Sequence, residues 1–224
     1  MDKFYLVVDL EATCWQDKSQ EEKENKSEII EIGAVLLDEN KNVVSEFQSF
    51  VKPMVHRTLS DFCMNLTHIN QRDVDNVCSF PYVHDSFLRF IEGREVVFCS
   101  WGEYDKKQFR RDCLLHHLVE FPDGEFINIK RLFAEKSCTP KCGVQKALAM
   151  LEMKFEGSPH RGIDDARNIA KIFKIITDPL FVKFPDLGLI LKVENCLASI
   201  EGSLRQIKQA MGEYKNIRGG RDGK

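Results

Sequence analysis

Asp9 and Glu11 stand at the end of an apolar run, FYLVVDLEATC over residues 4–14. On a strand, residues two apart project from one face. The spacing therefore sets two carboxylates side by side. They repel unless positive charge lies between them. A hard divalent cation such as Mg²⁺ meets that need, taking carboxylate oxygens together with the phosphate oxygens of a substrate. A strand end that reaches solvent also carries acids, so D-x-E alone leaves both readings open. Asp105, in SWGEYD, follows the run VVFCS (96–100) and opens a helix. An acid there is an ordinary N-cap, but the carboxyl ends of strands in an α/β sheet are also where ligands bind. Asp165 opens another helix in HRGIDDARNIAKI, with the same N-cap alternative. His160 precedes it by five residues, on a turn with Pro159 and Gly162, a poor place for a core histidine. Each signal is modest alone. The ordered set D-x-E, D, H-x4-D is rare by chance.

Positioning these groups is the task of the surrounding elements. Phe4 to Asp9 reads as a buried strand, and residues 28–38, EIIEIGAVLLD, as a second with a central place in a sheet. Residues 43–52 form a third, ended by Pro53 and joined to the second as an antiparallel hairpin. Residues 16–27 hold no apolar side chain and read as a solvated loop. Helical periodicity follows at Leu59 to Leu66, Phe80 to Ile91, Tyr104 to Leu118, Val144 to Leu151 and Ile163 to Ile176. Strands are expected at 96–100 and 126–129. In the helix from Tyr104 the spacing predicts an apolar face of Phe109, Cys113, Leu114 and Leu118. Lys106, Lys107, Arg110 and Arg111 share that helix, as a solvated face or, being next to Asp105, as phosphate contacts. The pattern is an α/β sheet with a meander at its start.

Composition limits the classes. Of 224 residues, 32 are Lys or Arg and 35 are Asp or Glu, a net charge of −3. With a pI near 6.1, overall charge cannot hold nucleic acid, although a local basic groove can. No window of 18 apolar residues exists, so no membrane-spanning helix is expected. The amino-terminal run is too short and too acidic for a signal peptide. Eight cysteines are scattered, without a pairing pattern, and point to reduced thiols in a cytoplasmic protein. Cys138 and Cys142, with His116 and His117 upstream, raise zinc, but no second pair supports it, and a structural role is preferred.

The segments VVDLEATCW, SWGEYD and HRGIDDARNIAKI resemble the three exonuclease motifs of the DEDDh branch of the ribonuclease T/DnaQ-like superfamily. The D-L-E-A-T-C opening and SDFCMNLTHINQRDVD are most similar to the histone-mRNA 3′-exonuclease, or enhanced-RNAi exonuclease, group. The resemblance spans about residues 3–178, without the amino-terminal nucleic-acid-binding segment of some animal members. It implies a ribonuclease H-like mixed sheet with flanking helices.

It further implies a two-metal 3′–5′ exoribonuclease that releases nucleoside 5′-monophosphates from a single-stranded RNA 3′ end or overhang. DNA is the alternative substrate, and a regulatory binding protein on a nuclease fold the alternative function. Asp9, Glu11, Asp105 and Asp165 match the metal acids, for two Mg²⁺ with Mn²⁺ able to substitute. His160 matches the general base. Phe62, Leu66 and Tyr104 match positions that seat the terminal nucleotide, although Phe62 and Leu66 read equally well as helix core. Ala12 and Thr13 are expected at the terminal ribose, and Lys106 and Arg161 at phosphates. Residues 179–213 lie outside the resemblance and read as a helical extension, with 214–224 a basic, glycine-rich tail. Ile190, Val193, Leu197, Ile200, Leu204, Ile207 and Met211 form an a/d seam. That seam either packs in cis or, over residues 190–211, pairs with a second copy or a protein partner.

Overall fold

A computed structural model describes residues 3–17, 27–119, 121, 124–181, 199–205, 207 and 208. Strand β1, Lys3–Ala12, carries Leu6, Val7, Val8 and Leu10, all buried. Its side chains alternate between two cores, as a period of two requires. Val7 joins one apolar cluster, while Leu6, Val8 and Leu10 join the other. Asp9 and Glu11 continue the Val7 side. Strand β2, Ile29–Leu37, is buried along its whole length, and β3, Val43–Phe50, is a half-exposed edge. The three are antiparallel neighbours, so the expected hairpin meander is present. Strand β4, Glu95–Ser100, runs parallel to β1, and the short β5, Phe126–Asn128, runs parallel to β4. The order β3-β2-β1-β4-β5 makes a mixed five-stranded sheet.

Helices cover both faces. On the Leu6 side lie α3, Phe80–Ile91, and α4, Tyr104–Leu115. On the Val7 side lie α5, Ile129–Ser137, α6, Val144–Met150, and α7, Gly162–Thr177. Before them come two short helices, α1, Asp61–Thr67, and α2, Gln71–Asp75. The Ser60 hydroxyl caps α1, accepting from Cys63 N at 3.0 Å. Helix α4 differs from its expected form. It stops at Leu115, and Leu114 is exposed to 60%, leaving Phe109 and Cys113 as its buried stripe. The last strand also ends earlier than read, because Asn128 caps α5 by accepting from Arg131 N at 2.9 Å.

Two glycines set the distance between sheet and helix. Gly33 lies opposite Asp9 in the β1–β2 register. A Cβ on Gly33 would fall 2.1 Å from the carbonyl carbon of Gly162, and one on Gly162 would fall 3.0 Å from the Asp9 carbonyl oxygen. The first turn of α7 therefore rests directly on β2 backbone, beside Asp9. Gly33→Ala should destabilise the protein by about 3 kcal/mol, the upper range of overpacking. That is a melting-temperature fall of roughly 6–12 °C in a domain of this size. Thermal unfolding of the variant checks it, and an unchanged midpoint would contradict the close approach.

Residues 182–224 form a separate unit. Residues 199–205 are helical, with Glu201 and Arg205 paired at 3.7 Å. Of the expected seam, Ile200, Leu204 and Ile207 are exposed. Ile190, Val193, Leu197 and Met211 lie outside the described residues, as do residues 18–26 of the polar loop. Among the described residues no helix is long and apolar enough to cross a membrane.

Candidate active site

The carboxyl ends of β1 and β4 open on a cleft of about 430 Å³. Asp9, Glu11, Asp105, His160 and Asp165 all line it, joined by Tyr104. Residues from three separate stretches of chain thus meet at one place. Asp9 and Glu11 come from one face of β1, and Asp165 from the first turn of α7, laid against that face by the Gly33–Gly162 contact. Ligand oxygens of these three acids lie within 4.8 Å of one another, and among the described residues they are the only such group. Asp105 stands apart from that trio. Its Oδ1 accepts from Leu10 N at 3.1 Å, which ties the start of α4 to β1. Converging carboxylate oxygens of this kind suit a hard divalent cation.

Electrostatics agree with that reading. Burial pushes the Asp9 carboxyl well above its usual range, and the charges of Asp105, Glu11 and Asp165 add to the effect. Glu11 is raised to about 9 by burial and then by Asp165 and Glu31. Asp105 is raised to about 6 by burial, against the lowering effect of its hydrogen bonds. Asp165 is raised by burial. A metal-free cluster therefore holds protons that an unfolded chain has already released. Stability must then fall as pH rises from about 5 towards 9, since the folded state is the better proton binder. Asp112, raised by burial to about 7, acts in the same direction. A cation that replaces those protons should restore the loss. The melting temperature in EDTA is expected to drop between pH 6 and 8.5, and Mg²⁺ should raise it more at pH 8.5 than at pH 6. A melting temperature indifferent to Mg²⁺ at both values would count against a cation site.

His160 sits on a turn whose amides are held by carboxylates. Ser158 N donates to Asp164 Oδ2 at 2.9 Å, His160 N to Asp165 Oδ2 at 2.7 Å, and Gly162 N to Glu31 Oε2 at 3.1 Å. The backbone is left-handed at Gly157 (φ 89°) and at His160 itself (φ 61°). The His160 side chain is exposed at the cleft wall.

The remaining expected residues are dispersed. Tyr104 is half-exposed at the cleft. Phe62, 38% exposed, and Leu66 lie outside all three apolar clusters, so neither is ordinary helix core. Their helix is tied to the end of β1, where Ser60 Oγ donates to the Cys14 carbonyl at 2.6 Å and Cys63 Sγ to that of Ala12 at 3.7 Å. Thr13 is buried, its hydroxyl oxygen accepting from Glu28 N at 2.9 Å. Lys106 lies over the Phe126 ring at 4.6 Å, and Lys107 pairs with Glu103 at 2.9 Å. Arg111 reaches Gln108 at 3.1 Å, and Arg161 turns back to Glu31. None of these four cations lines the cleft. Sequence reasoning missed Trp101, although it lies in SWGEYD, and missed the 143–145 segment, which carries no signal. Both line the cleft, and the Trp101 indole N–H donates to the Cys142 carbonyl at 3.0 Å. It also missed Glu31, fully buried opposite Glu11. Cys138 is exposed and Cys142 half-buried, and neither joins a metal-ligand group.

Comparison with known proteins gives consistent matches. The family model described as Exonuclease (RNase T) matches residues 6–173. The 3′-5′ exonuclease eri1 of Schizosaccharomyces pombe is 30% identical over 202 residues, covering 77% of this chain and 67% of that protein. The 3′-5′ exoribonuclease 1 of Homo sapiens is 31% identical over 185 residues, covering 76% of this chain and 52% of the relative. The chain thus spans about half to two thirds of the length of these two relatives. Among solved structures, the nuclease domain of 3′hExo, a DEDDh family member bound to rAMP, superposes with a TM-score of 0.72. It is 29% identical, and the match covers 82% of this chain and 96% of that one.

Proposed function

Because the chain belongs to the RNase T exonuclease family, we propose that it is a two-metal-dependent 3′–5′ exoribonuclease releasing nucleoside 5′-monophosphates. The observation that carries this is the meeting of Asp9, Glu11 and Asp165 with Asp105 and His160 around one cleft. The named activities of the relatives and the nucleotide in the 3′hExo structure support it. Asp9, Glu11, Asp105 and Asp165 would hold the cations. The all-oxygen donor set and the raised proton affinities fit Mg²⁺, with Mn²⁺ as substitute. When bound, the two ions stabilise the attacking and leaving oxygens of an in-line displacement at phosphorus.

The chain's own residues do the rest. His160 takes the proton from the attacking water, because the ring stands at the cleft wall and histidine is the commonest general base. Tyr104 offers an aromatic face to the terminal nucleotide. Phe62 and Leu66, free of the core, form the seat beside it, and the Ala12–Thr13 backbone meets the ribose. Lys106 and Arg161 would have to leave Phe126 and Glu31 to reach phosphates, so their contribution is taken as the smaller one. Residues 1–178 make up the catalytic domain in this reading. The 190–211 seam either packs in cis or serves a second copy or a protein partner. The cytosol is its compartment on the cysteine pattern.

The substrate test pairs RNA and DNA oligonucleotides of one sequence, in Mg²⁺ and in Mn²⁺. RNA should be shortened faster, a preference that rests on the 2′-hydroxyl. DNA shortened as fast as RNA would assign the site to the DNA-exonuclease alternative.

A further inference from the structure

Glu31 is fully buried, yet it takes no part in the grouped metal acids. Its carboxylate is occupied by four donors. Oε2 accepts from Arg161 Nε and from Gly162 N, each at 3.1 Å. Oε1 accepts from Arg161 Nη2 at 3.2 Å and from Gln48 Nε2 at 2.7 Å. The guanidinium is therefore held in bidentate form, which fixes its plane as well as its position. The Arg161 guanidinium also lies over the Phe50 ring, 5.2 Å from its centroid. Arg161 and Gly162 are the two residues that directly follow His160.

His160 needs such a grip. Its left-handed backbone, φ 61°, is costly for a residue with a Cβ and persists only where the surroundings impose it. On its amino side the turn is fixed by Asp164 and Asp165, through the amides of Ser158 and His160. On its carboxyl side Glu31 takes the Arg161 side chain and the Gly162 amide, while Asp165 also faces the Arg161 amide. The register adds a reason for the pairing. Glu31 is the cross-strand partner of Glu11, and its four donors leave it no free lone pair to offer a cation.

We propose that Glu31 is a positioning residue, which latches the 158–162 turn through Arg161 and the Gly162 amide and so sets where the His160 ring meets the cleft. The catalytic consequence rests on the exonuclease reading; the latch itself does not. A ring displaced by about 1 Å can cost about a hundredfold in rate. Glu31→Gln, which keeps the volume and removes the charge, should lower kcat on RNA by about that factor, with KM within about twofold. Arg161→Lys keeps the charge but loses the fork, and should lower kcat in the same sense.

The test uses the full chain and two readouts. The first is a double-mutant cycle with His160→Ala. A residue that acts through His160 has little left to lose in that background, so Glu31→Gln should change kcat there by less than about threefold. The second is amide hydrogen exchange across residues 157–162, which should quicken in both Glu31→Gln and Arg161→Lys while β1 stays protected. An equal fall in kcat with and without His160 would overturn the proposal, as would unchanged exchange in the turn. Should the wild-type protein fail to shorten RNA, the exonuclease reading fails alone, and the exchange experiment still decides the latch.

Discussion

Asp9→Asn is expected to lower RNA hydrolysis by at least about a thousandfold while leaving the protein folded. Asp9 feels the charges of Asp105, Glu11 and Asp165 together. Asparagine keeps its volume and removes its charge. A bound cation contributes several kcal/mol to a phosphoryl-transfer barrier, and each 1.36 kcal/mol is a factor of ten in rate. The same substitution relieves repulsion in the metal-free state. The EDTA melting temperature at pH 8.5 should therefore equal or exceed that of the wild type, and Mg²⁺ should raise it less. Turnover at the wild-type level in Mg²⁺ would remove Asp9 from the mechanism.

His160→Ala should lower kcat by about 10²–10⁴-fold, the usual contribution of a positioned acid or base, with little change in KM. Its side chain is exposed, and its hydrogen bond to Asp165 is made through its own amide. Truncating the ring therefore leaves the hydrogen bond to Asp165 in place, and the acid cluster should keep its shape. Binding of RNA in Ca²⁺, measured beside turnover in Mg²⁺, separates the roles. An equal loss of binding and turnover would mark His160 as a residue that holds substrate.

The acids were legible because three requirements coincide in the chain: two carboxylates at strand spacing, an acid after another strand, and a histidine five residues before a helix-opening acid. Helices α3 and α7 were legible for a simpler reason, a long apolar period. What stayed hidden was direction. Lys106 adjoins Asp105 and Arg161 adjoins His160, yet one lies over Phe126 and the other reaches back to β2. Sequence neighbours of a site residue share its backbone, not its orientation. Glu31 read as one polar residue in a strand, because its partner is 130 positions away. Leu114 fitted an apolar helical stripe, but the helix ends one residue later and leaves it in solvent. Helix α2 was missed because five residues are too few to display a period.

One measurement bears most directly on the central claim. The full-length protein is incubated in Mg²⁺ with an RNA that ends in a 3′-hydroxyl, and the products are weighed by mass spectrometry over time. Loss of single nucleotides from the 3′ end, as nucleoside 5′-monophosphates and only without EDTA, is the predicted result. Internal fragments, or nucleoside 3′-monophosphates, would contradict the account.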